Sequence, residues 1–124
     1  MTRSQDIEQW EVQLAPTLQT LMATLGSASR AARNGPSSLL AASDQLSAAS
    51  RDARVWLATQ SCPLPDIEDR LVRTMRSFRI LTRLMQIEAS SAAGPNLKAI
   101  DQEIEDLVGM IANTVAVLSD HTDS

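Results

Sequence analysis

The chain has 124 residues, of which 44% are hydrophobic, a formal net charge of −4 and a single cysteine, Cys62. That length makes one domain with a core of its own, and no apolar run approaches the roughly 18 to 20 residues that a membrane-spanning helix needs. The acidic balance argues against non-specific nucleic-acid binding, which depends on neutralising phosphates, and one cysteine excludes an internal disulfide or a thiolate zinc site within one chain.

The opening Met1-Thr2-Arg3-Ser4-Gln5-Asp6 lacks the charged-then-apolar pattern of a signal peptide, so a cytoplasmic protein is expected. The first apolar stripe is Ile7, Trp10, Leu14, Leu18, Leu21, Leu25, Ala28 and Ala32. Its steps of three and four residues keep it on one helical face. Ser4 is the expected cap, Asp6 and Glu8 sit in the first turn where the helix dipole favours anions, and Asn34-Gly35-Pro36 is the stop. Pro16 lies inside this span, on the side away from Leu14 and Leu25, which predicts one helix bent around the core. Two short helices broken at Ala15 are the alternative.

A second stripe, Leu39, Ala42, Leu46, Ala49, Ala53 and Trp56, predicts a helix from about Ser37 to Gln60. Its alanines let a neighbour approach closely and bury little area. Ser61-Cys62-Pro63-Leu64-Pro65 resets the chain, with Pro65 suited to the first position of a third helix. That helix carries Ile67, Leu71, Met75, Phe78, Leu81 and Met85 and runs to about Ser90. After the Gly94-Pro95 turn, Asn96 caps a fourth helix with Leu97, Ile100, Ile104, Leu107, Ile111, Val115 and Leu118, ending near Asp120. Matched lengths and short turns make sequential helices antiparallel. The expected fold is all-α, an antiparallel up-down-up-down four-helix bundle forming a single domain over residues 1–124.

In that topology Trp10 and Trp56 meet at one end of the bundle, below the Cys62 loop. An aromatic plug is the simpler account of them. The functional account is a small-ligand pocket built from Trp10, Trp56 and Cys62, although the convergent polar groups such pockets use are missing. Cys62 precedes a helix N-terminus, a position that favours the thiolate, but the one histidine that could serve as its base, His121, lies in the tail. With no Glu-x-x-His motif, phosphate loop or paired nucleophile and base, no catalytic residue, metal site or cofactor is expected.

Arg70, Arg73, Arg76, Arg79 and Arg83 form the densest basic run. Asp66 and Asp69 stand four residues before Arg70 and Arg73, and Asp101 and Glu105 of the fourth helix are expected beside Arg79 and Arg83. A salt-bridged face is therefore the plain account. Arg76, Arg79 and Arg83, within about 60° of one another, are the candidate anion contacts.

Beyond the core stripes, Ile80, Leu84 and Ile87 cluster about 140° from the Phe78 and Met85 side, and Met110 and Val117 point away from Ile104 and Ile111. A second apolar stripe means either a wide core seam or a contact with another chain. The pattern favours a non-enzymatic protein-interaction module, a homodimer or partner-binding chain using Ile80, Leu84, Ile87, Met110 and Val117 of the third and fourth helices. A small-ligand-binding bundle with its apolar pocket at the Trp10/Trp56 end is the alternative. Neither a membrane nor a nucleic acid is an expected partner.

Overall fold

The computed structural model describes residues 2–59 and 64–123, with side chains over 8–59 and 64–120. Four helices account for nearly all of it: α1 (Thr2–Ala32), α2 (Pro36–Thr59), α3 (Pro65–Ala89) and α4 (Leu97–Asp123). α1 runs unbroken through Pro16. The proline ring is exposed, and the carbonyl it leaves without an amide partner belongs to Val12, which is also exposed, so water can satisfy it.

The turns follow from glycine and proline chemistry. Gly35 adopts φ +111°, and its carbonyl accepts the Leu39 N–H at 3.0 Å, opening α2 with Pro36 at the position where a missing amide hydrogen costs nothing. A Cβ built at Gly35 would meet no atom within 4 Å, so only backbone strain opposes it. Gly35→Ala is expected to lower stability by about 1 to 2 kcal/mol in denaturant unfolding. An unchanged midpoint would mean that the turn relaxes to a negative φ.

Gly94, at φ +91°, makes the α3–α4 turn. Asn96 caps α4 as its side-chain type suggests: its Oδ1 accepts the Ala99 N–H at 3.1 Å, while its own N–H donates to Glu88 Oε1 at 2.7 Å.

Among the described residues each helix brings its backbone close to two neighbours, in the order α1, α2, α3, α4 and back to α1, while the buried side chains of all four meet in one core. The α1–α4 pair is antiparallel, because Arg33 at the end of α1 donates through Nη2 to Asp101 Oδ2 near the start of α4 at 2.6 Å. Both side chains are well exposed, so this pair sets register more than it adds stability.

Every α1 stripe residue from Trp10 to Ala32 is buried, as is every α3 stripe residue from Ile67 to Met85. The side chain of Ile7 lies outside the described residues. The other two stripes differ in detail from expectation. On α4, Val115 is 43% exposed and Thr114 is buried in its stead. Thr114 can take that place because its hydroxyl donates to the Met110 carbonyl at 2.8 Å, leaving only its methyl and stem to pack. On α2, Ser43 and Ser50 are buried, whereas Ala49 and Trp56 are half-buried.

Candidate functional site

Antiparallel packing brings Trp10 and Trp56 together, with ring centroids 6.3 Å apart and planes at 30°. Trp10 is 5% exposed, and its Nε1 has no hydrogen-bond partner among the described residues. The stack covers the core end as a plug would. Cys62, the third member of the expected pocket, lies outside the described residues. A groove of about 340 Å³ does open at this end between α2 and α3, lined by Arg54, Leu57, Ala58, Glu68, Leu71, Val72 and Met75 and by neither indole.

The α3 arginines separate onto two flanks. Arg70 and Asp66 form the expected pair at 3.4 Å, but Arg73 Nε donates to the backbone carbonyl of Asp69 at 3.5 Å instead of to its carboxylate. The expected pairing of Arg79 and Arg83 with Asp101 and Glu105 does not form. Asp101 instead accepts from Arg33, just past the end of α1, and, at 3.4 Å, from the Ser29 hydroxyl on α1. Arg79 and Arg83 fall on the flank of α3 that faces α2, where they line a cleft of about 250 Å³ with Arg54, Ser47, Ser50, Thr82 and Gln86. Arg76 is exposed and stands outside this cleft. Arg54 and Ser50 carry no motif in the sequence. Their i, i+4 spacing on the flank of an alanine-rich stripe is the one available sign that they share a surface.

The five candidate interface residues do not make one patch. Ile80 and Ile87 are 54% and 58% exposed, and Leu84 between them is half-buried against the core. Met110 and Val117 are also half-buried and pack against the core. Met110 shares a small cleft of about 130 Å³ with Arg70, Arg73 and Thr74. With Thr74 beside Met110 and Glu88 beside Asn96, antiparallel register sets Leu84 level with roughly residue 100, so Met110 lies about 15 Å further along α4. Met110 thus belongs to a wide α3–α4 seam and Val117 packs inward, so that of the five candidates only Ile80 and Ile87 of α3 face solvent.

Among the described residues, no three His, Cys, Asp or Glu side chains gather where they could hold a metal ion, and no helix is long and apolar enough to cross a membrane. Comparison with protein families, curated proteins and solved structures finds no match to this chain.

Proposed function

We propose that the chain is a non-enzymatic interaction module that pairs with a second copy of itself through the outer face of α3. The observation that carries this reading is the exposure of Ile80 and Ile87, two turns apart on one face, with Leu84 half-buried between them. A two-fold axis passing near Leu84 would bring Ile80 of one copy against Ile87 of the other, the self-complementary arrangement most homodimers use. Burial of these side chains would supply the apolar centre, and Arg76 and Arg83, within a turn of Ile80, would form the polar rim.

Ile87→Asp is the sharper probe than Leu84→Asp, because Leu84 also touches the core and its loss would disturb the monomer. Light scattering at tens of micromolar chain should find twice the chain mass for the wild type and one chain mass for Ile87→Asp, with helicity unchanged and a melting temperature that, unlike the wild type's, does not depend on concentration. A monomeric wild type, or a dimeric Ile87→Asp, would refute pairing through this face.

Small-ligand binding is the second reading, favoured by the apolar groove of about 340 Å³ beside Leu57, Leu71 and Met75. An aliphatic ligand seated there would raise the melting temperature by mass action, and a series of such ligands that leaves melting unchanged would set this reading aside.

A further inference from the structure

Five hydroxyl side chains are buried among the described residues: Ser43, Ser50, Thr74, Thr82 and Thr114. Four of them donate to a carbonyl of their own helix, at 2.6 Å for Ser43, 2.7 Å for Thr74 and 2.8 Å for both Thr82 and Thr114. Ser50 is the exception. It is only 5% exposed, yet its hydroxyl makes no hydrogen bond to any described residue, and it lines the α2–α3 cleft. Among the described residues Trp10 Nε1 is the one buried side-chain polar atom without a partner, so the Ser50 Oγ opens to the cleft, where it can donate to water or to a group seated there.

The same cleft gathers Arg54 from α2 with Arg79 and Arg83 from α3, and no carboxylate lines it. None of the three arginines pairs with an acid among the described residues. Three cations from two helices around one concavity repel one another and concentrate a positive field, in a chain whose net charge is −4. An anion between them would relieve that repulsion and accept both guanidinium and hydroxyl donors. Arg54 also lines the apolar groove that continues toward the start of α3, past Leu57, Leu71 and Val72. From Arg79 to Leu71 the two cavities extend about 12 Å along α3, the span of an extended medium-length acyl chain. Glu68 stands at the far end of the groove and would repel a second negative charge there.

We infer that this surface binds an aliphatic monocarboxylate, its headgroup held by Arg54, Arg79, Arg83 and Ser50 and its tail laid along the adjoining groove. The inference rests on the ligand-binding reading.

Calorimetric titration of the full chain with acetate, hexanoate, octanoate, decanoate and neutral decanol tests it. Affinity should rise by up to about fourfold for each methylene added along the acid series, and decanol should bind far more weakly than decanoate. The paired substitution Arg79→Gln with Arg83→Gln changes exposed positions to another good helix former, so helicity and melting should hold while decanoate affinity falls by about tenfold or more. Ser50→Ala should weaken decanoate in the same direction. Equal affinity for acetate and decanoate would overturn the tail assignment. Undiminished decanoate binding by the paired variant would place the acid elsewhere, overturning this cleft while leaving ligand binding in force. No binding of any acid at millimolar concentration would end both.

Discussion

Phe78→Ala is expected to lower the unfolding free energy by about 3 to 5 kcal/mol, the sum of lost transfer energy and a cavity that the bundle closes only in part. Phe78 is fully buried in the middle of α3. The neighbouring α2 offers mostly alanine and serine on its buried face, with Leu39 and Leu46 the only long side chains, so little on that side can swing into the vacated volume. Met75 and Met85 on α3 are flexible enough to recover part of it, which pulls the expected loss toward the lower end. Urea unfolding should show a lower midpoint at an unchanged slope. A loss below about 1 kcal/mol would mean that Phe78 does not support the core.

Trp10→Ala should cost about 3 to 5 kcal/mol by the same mechanism, at the other end of the packing hierarchy where the bundle closes. Its indole is almost fully buried, and its Nε1 lacks a described partner, so the substitution also removes a poorly satisfied donor and the loss should fall near the lower bound. Trp56 is half-buried, and Trp56→Ala should cost less. Because the two rings stack at 6.3 Å, the double variant should lose less than the sum of the single losses, by about 0.5 to 1.5 kcal/mol. Strictly additive losses would reduce the stack to two independent area terms. Near-ultraviolet circular dichroism should lose the paired-indole signal in either single variant.

The fold was legible because the strongest signals in this chain are periodic and local. Large aliphatic residues recur every three or four positions on α1 and α3, and Gly35 and Gly94 stand where a positive φ is required. Polar core members were not legible. Ser43, Ser50 and Thr114 look like surface residues until the helix supplies each neighbouring carbonyl, or the fold supplies a cleft. Nor could spacing say which flank of α3 meets α2 and which meets α4, since that choice is the handedness of the bundle and leaves no mark on a single helical wheel. Arg79 and Arg83 were therefore set beside the acids of α4, when the folded chain turns them toward Arg54. The same ambiguity merged Met110 and Val117 with Ile80 and Ile87, although the first pair packs inward and the second faces solvent.

The four pairwise seams close into a ring, α1 to α2 to α3 to α4 and back to α1, and among the described residues no two backbones approach closely across the diagonal. Three seams are spanned by short stretches of chain, and the fourth is held by side chains alone, among them the Arg33–Asp101 pair. In a ring of this kind the point of severance is arbitrary. A link between the neighbouring open ends of α1 and α4, with the backbone cut instead at the Gly35 or Gly94 turn, would renumber the helices while leaving each with the same two partners. Helix order along the chain is thus a label on this architecture, and the cyclic order of its seams is the invariant that a permuted gene would have to preserve.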